Sequence, residues 1–179
     1  MLTTTSPTRF SRPSRLPSLR VLGIDPGLVA TGYALIASGP GHAVVVDSGV
    51  VGTASDLPLD ARLRTIYDDV HRLLASHTPS VLVLEDLYTE YRFPRTALLM
   101  AHARGVVCLA ARQHDVRVLA LSPAEVKRAV TANGAASKEQ VQRSVGRLLG
   151  LARLPTPSHV ADALALALTG LSRLGGRLA

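Results

Sequence analysis

Val21-Leu22-Gly23-Ile24-Asp25-Pro26-Gly27 is four apolar or small residues running into an aspartate and then a Pro-Gly turn. It reads as a buried strand whose last residue is a carboxylate, and Ala30-Thr31-Gly32-Tyr33-Ala34-Leu35-Ile36 follows it as a second β-rich run. A charge at a buried strand end is costly unless a metal ion, a hydrogen-bond nest or a basic partner meets it. An aspartate that caps its own turn is the equal alternative. Val81-Leu82-Val83-Leu84-Glu85 repeats the pattern, apolar on both faces and again ending in an acid. Two such strands are expected side by side at the centre of a sheet, presenting both acids at one edge.

Outward from this pair, Val21–Asp25, Thr31–Ile36 and Ala43–Val51 read as an antiparallel meander turned at Ser38-Gly39-Pro40-Gly41. Pro58 opens a helix whose Leu59, Leu63, Ile66, Val70, Leu73 and Leu74 step by three and four, so one face packs on the sheet, and Thr78-Pro79 ends it. Thr96–Arg112 is an Ala-rich helix in which Gly105 allows close approach of another element, and Val116–Leu121 is a fifth strand. Ser122-Pro123-Ala124-Glu125 and Ser137-Lys138-Glu139-Gln140 are capping boxes, the first with Pro at the opening helical position. Pro155-Thr156-Pro157 blocks helix, Ser158 caps, and a final helix begins at His159-Val160-Ala161-Asp162, whose His and Asp share a face in the first turn.

The 179 residues fit one domain with a single core, and with aromatics at 3% that core must be built of Leu, Val and Ala. The lone Cys108 makes no internal disulfide, reads as a buried thiol and suits a reducing cytoplasm. No apolar run approaches the roughly 18 residues of a membrane span, and no signal peptide is visible. Residues 1–20, rich in Ser, Thr, Pro and Arg without periodicity, are expected to be a flexible basic tail ahead of a domain over residues 21–179. The formal charge of +7 divides unevenly: residues 21–91 carry −6, whereas residues 92–153 carry +8. An acidic half holding the candidate site joined to a basic half suits a polyanion bound beside cation-binding carboxylates, which points to nucleic acid. Solvated arginines on helix faces are the plainer reading of much of that charge. Lys127 and Lys138, the only lysines among 18 arginines, flank the loop at residues 131–136.

Asp25, Glu85 and Asp162 with His159 amount to three hard oxygen donors and one imidazole, a set that suits Mg²⁺ or Mn²⁺ and is enough for two ions in phosphodiester cleavage. A dipole-stabilising Asp beside a surface His is the alternative for the last pair. The chain lacks a phosphate-binding Gly-x-x-x-x-Gly-Lys-Ser/Thr loop, a dinucleotide Gly-x-Gly-x-x-Gly, a cysteine zinc pattern and a Gly-x-Ser-x-Gly elbow.

Gly23-Ile-Asp-Pro-Gly27 with Thr31-Gly32-Tyr33, Leu84-Glu85-Asp86-Leu87-Tyr88, Ala103-Arg104-Gly105, Glu125-Val-Lys-Arg128, Lys138-Glu-Gln-Val-Gln142 and Ala161-Asp162-Ala163-Leu164-Ala165 together closely resemble the RuvC family of Holliday junction resolvases, from Val21 to about Leu171. The resemblance implies an α/β, ribonuclease H-like fold: a five-stranded mixed sheet with helices on both sides, working as a homodimer. It implies a metal-dependent endodeoxyribonuclease that nicks four-way DNA junctions in recombination and repair, in the cytoplasm, with RuvA and RuvB as its branch-migration partners. By that likeness Asp25, Glu85 and Asp162 are metal-binding catalytic carboxylates for Mg²⁺ or Mn²⁺, two ions per site. His159 stands where many members carry a fourth Asp and some carry His. Tyr88 matches an aromatic that stacks on a base at the junction centre, and a buried Tyr after a strand is its alternative. Lys127 and Lys138 match residues that contact junction DNA. The related RuvX-like nucleases share the first strand motif but not the Lys127–Gln142 block. An actin-like sugar kinase or ATPase also begins Gly-Ile-Asp but needs two large lobes.

Overall fold

The computed structural model describes residues 18–86 and 94–175, with residues 94–96 by backbone alone. Five strands, β1 (Arg20–Asp25), β2 (Ala30–Ser38), β3 (Ala43–Gly52), β4 (Val81–Glu85) and β5 (Arg117–Leu121), form one sheet in the order β3-β2-β1-β4-β5. The β1–β2–β3 meander is antiparallel, and β4 and β5 add in parallel. The two fully apolar strands are therefore central neighbours, with Ile24 opposite Leu84, so Asp25 and Glu85 leave the sheet side by side. Adjacent strands lie about 4.8 Å apart, which brings the two acids within one ion's reach of each other.

Alternation along these strands sorts the core into two layers. Leu22, Ile24, Leu82 and Leu84 face α1 (Leu59–His77) and α2 (Pro94–Gln113), and Ile66, Val70, Leu74, Ala103 and Val107 pack against them. Val21, Val81 and Val83 face α3 (Pro123–Thr131), α4 (Lys138–Leu148) and α5 (Ser158–Arg173). Residues 25 and 85 continue the 21-23 and 81-83 series, so both carboxylates face the second layer. A slip of one residue in either strand would turn its acid to the other side.

Close packing of α5 depends on glycine. A Cβ on Gly23 would lie 2.2 Å from the Ala163 carbonyl oxygen, and one on Gly32 would lie 2.1 Å from that of His159. Both contacts are to helix backbone, which cannot step aside, so only Gly at these positions lets α5 lie directly on β1 and β2. Apolar residues cover nearly all of α5: Val160, Ala161 and the run Ala163–Leu168 are buried.

Several local expectations differ from what is found. Pairing begins at Arg20, one residue earlier than expected for β1, and Leu19 is already bonded to Ser38. β5 starts at Arg117 and α2 at Pro94. Ser122 caps α3 through Glu125 N, but the Glu125 carboxylate pairs with Arg173 of α5 instead of returning to the cap, whereas the Ser137/Gln140 box forms in both directions. Ser158 is the first helical residue and Pro157 the N-cap, with no side-chain bond, so Asp162 falls in the second turn, past the reach of the first-turn dipole effect. A Cβ on Gly105 would meet nothing within 4 Å, so among the described residues no element packs against its open side. Cys108 is half-buried at the margin of the first layer. Among the described residues no helix is long and apolar enough to cross a membrane.

Candidate active site

Asp25, Glu85, His159 and Asp162 line one cleft of about 400 Å³ together with Lys127 and Lys138, closed by Met100, Pro123 and Val141. Each acid arrives on a different rigid element. Asp25 ends β1 and Glu85 ends β4, while His159 and Asp162 come from the start of α5, three residues apart on one helix face. Lys127 comes from the middle of α3 and Lys138 opens α4. Tyr88 lies outside the described residues.

The turn after Asp25 is pinned from beneath. The Thr31 hydroxyl donates to the Gly27 carbonyl at 2.7 Å, and the Thr53 hydroxyl donates to that of Leu28 at 2.5 Å. Arg62 of α1, itself buried, donates from Nε to Thr53 Oγ1 at 2.9 Å, and its Nη2 has no partner among the described residues. On the other side, Arg104 of α2 donates from Nε to the Glu85 carbonyl at 3.3 Å and sits 3.7 Å from Asp86 Oδ1, fixing the end of β4. Nothing in the spacing of Arg62 or Arg104 announced these roles; Arg104 stood out only as part of the Ala-Arg-Gly motif.

Electrostatics in the cleft are those of crowded like charges. The Glu85 carboxyl is pushed up from its ordinary 4.5 to about 7, first by burial, then by the negative charges of Asp25 and Asp162, with Lys138 and Lys127 opposing. Asp162 is also raised, by burial and by Asp25, against the pull of Lys138, His159 and Lys127. Lys138 Nζ lies 3.8 Å from Asp162 Oδ2 and His159 Nδ1 lies 2.8 Å from Asp25 Oδ2. These two contacts occupy the acids: among the described residues no three His, Cys, Asp or Glu side chains converge on a single ion position. In donor chemistry the set nonetheless fits a hard divalent cation, because partly buried carboxylates that raise one another's proton affinity are stabilised by a positive charge between them. Binding one would require Asp162 to turn from Lys138, whereas Asp25 can keep His159 on Oδ2 and offer its other oxygen.

A family model described as "Crossover junction endodeoxyribonuclease RuvC" matches residues 21–170. Proteins of that description from Fusobacterium nucleatum and Mycobacterium avium are 38% and 46% identical to this chain over 160 and 151 residues, covering 89% and 84% of it and 84% and 80% of themselves. The solved structure of Thermus thermophilus RuvC in complex with a Holliday junction substrate superposes with a TM-score of 0.81 at 36% identity, over 88% of this chain and 96% of that one.

Proposed function

The chain belongs to the RuvC family of crossover junction endodeoxyribonucleases, and on that premise we propose that it resolves four-way DNA junctions by hydrolysing one phosphodiester in each of two strands, in recombination and repair. The observation that carries this reading is one cleft lined by three carboxylates and two lysines, on strand ends and helices that the core holds rigid. Lys127 and Lys138 neutralise a backbone phosphate and draw it against the acids. Asp25, Glu85 and Asp162, with His159 beside them, would hold Mg²⁺ or Mn²⁺, two ions in all. Such ions, when bound, supply an activated water and stabilise the departing oxygen.

His159 has a defined part in this arrangement. With Nδ1 donating to Asp25 Oδ2, its Nε2 carries the lone pair, free to ligate metal or to accept a proton from water. The carboxylate in turn fixes the ring's orientation. Glu85, buried and flanked by two acids, is the group that gives up its proton when a cation enters.

Paired nicks need two sites, and a second copy of the chain supplies the other. The face of α2 that carries Leu98, Gly105 and Leu109 is the proposed contact: both leucines are more than half exposed, and the open Gly105 between them lets a second helix approach closely. RuvA and RuvB are the expected motor partners and the cytoplasm the expected place, where Cys108 stays reduced.

The test is cleavage of a synthetic four-way junction with Mg²⁺ or Mn²⁺ present. Asp25→Asn, Glu85→Gln and Asp162→Asn should each abolish nicking while binding of the same junction survives, since most affinity comes from phosphate contacts elsewhere. A variant that still nicks at the unmodified rate would remove its residue from the site, and an unmodified chain that does not nick would remove the function.

A further inference from the structure

A second cavity, about 500 Å³, opens between the end of α3 and the outer face of α4, away from the acidic cleft. Four of its lining side chains, Asn133, Gln140, Arg143 and Arg147, carry N–H donors. Arg143 and Arg147 lie one turn apart on α4, and neither makes an ion pair among the described residues. Asn133 has its carbonyl oxygen taken by the Ala135 N–H at 3.0 Å, and Gln140 has its own taken by the Ser137 N–H at 2.7 Å. Those backbone donors fix both amide orientations, so each side chain turns its NH₂ group outward. Thr131 and Ser144 spend their hydroxyl protons on the Lys127 and Val130 carbonyls. The neighbouring carboxylate, Glu139, accepts from the Ser137 hydroxyl at 2.7 Å and also feels the positive charge of Arg143 one turn on, without forming an ion pair with it. Two guanidinium groups and two amide NH₂ groups around one hollow make a site for an anion with several oxygens.

From this we infer that the hollow is a second phosphate-binding site for the junction, taking a backbone phosphate of the strand that leaves the cleft. The inference rests on the function proposed above. Both sites are built on the same two helices. Thr131 follows Lys127 by one turn of α3, about 6 Å, and Arg143 lies roughly 7.5 Å along α4 from Lys138. Successive phosphates along a strand are farther apart than the axial rise of about 3.4 Å per nucleotide, so these offsets correspond to about one to two nucleotides. Arg128, which rests against Gly134 in the loop between the helices, adds a third guanidinium on the same route.

The experiment measures four-way junction binding without divalent metal across about 50–200 mM salt, for the unmodified chain, for Arg143→Gln/Arg147→Gln, and for a control. The control, Arg64→Gln/Arg72→Gln, removes the same charge from α1 across the sheet. The pocket double variant should bind about 10- to 100-fold more weakly and lose roughly two units of log-log salt slope, with the control unchanged. Single neutral methylphosphonates stepped along the strand should weaken the unmodified chain at one position about one to two nucleotides from the cleaved bond, and add nothing further in the pocket variant. If the variant's melting temperature falls, the methylphosphonate scan on the unmodified chain decides alone. A variant slope equal to the control's, or a scan with no sensitive position, overturns the pocket while leaving junction cleavage standing. An unmodified chain that neither binds nor cuts the junction overturns both.

Discussion

Burial and two neighbouring carboxylates hold the Glu85 proton to about pH 7, and that has a consequence for stability without metal. Between its ordinary 4.5 and about 7 the folded chain binds a proton at Glu85 that the unfolded chain has released, so stability falls as pH rises through this window. The loss is on the order of 1–3 kcal/mol, and the raised Asp162 contributes in the same direction. Melting temperatures in chelator should therefore drop from pH 5 to pH 7.5, Glu85→Gln should flatten that drop, and added Mg²⁺ or Mn²⁺ should recover stability at the upper end. A Glu85→Gln profile parallel to that of the unmodified chain would place the cost elsewhere. Asp25 and Glu85 were legible as strand-terminal acids because an apolar run ending in a charge is rare without reason. Asp162 was legible mainly through a family likeness. The lean of His159 on Asp25 joins residues 134 apart in sequence, and no local pattern encodes which nitrogen faces which oxygen.

Between elements, the contact that makes the site is α5 on β1. Gly23→Ala drives a methyl into the backbone of α5 at Ala163 and Ala167, so it should cost about 1–3 kcal/mol or more and lift Asp162 and His159 from Asp25. Cleavage by the folded fraction should fall well beyond what unfolding explains. Gly170→Ala is the contrast: its methyl meets Val83 Cγ2 at 2.4 Å and Val21 Cγ1 at 3.1 Å, side-chain atoms that can rotate, and it lies at the far end of the helix. It should lower the melting temperature while sparing the cleavage rate. Equal losses of cleavage in both would sink the idea that close packing positions the acids. The period of two and the helical spacing made the elements readable, and even the parallel pairing of β1 with β4 followed from their shared pattern. What those patterns omit is helix-to-sheet distance, because Gly23 and Gly32 look like ordinary weak points of a strand until α5 is laid across them. The start of α5 was misread for a related reason: a Pro-Ser pair allows either residue to cap, and Pro157 took the position.

At the scale of the molecule, the acidic and basic halves seen in the charge distribution meet in one cleft, to which the +8 segment supplies Lys127 and Lys138, while its Arg143 and Arg147 line the separate hollow on α4. The exposed leucines of α2 lie on the opposite layer. Leu109→Glu should raise the dissociation constant of the dimer proposed above about 100-fold or more, by setting a charge in its proposed apolar contact. Sedimentation would then report monomers that nick single strands but no longer cut in pairs, whereas an unchanged mass would move the contact elsewhere. The sheet that separates these layers also offers the experimenter a handle. α1 contributes no residue to the cleft, and Arg64 and Arg72 project outward from it. A tether or fluorophore attached at either position would hold a single molecule to a surface with its cutting side turned to solution, so that successive nicks on one junction could be watched without the label entering the chemistry.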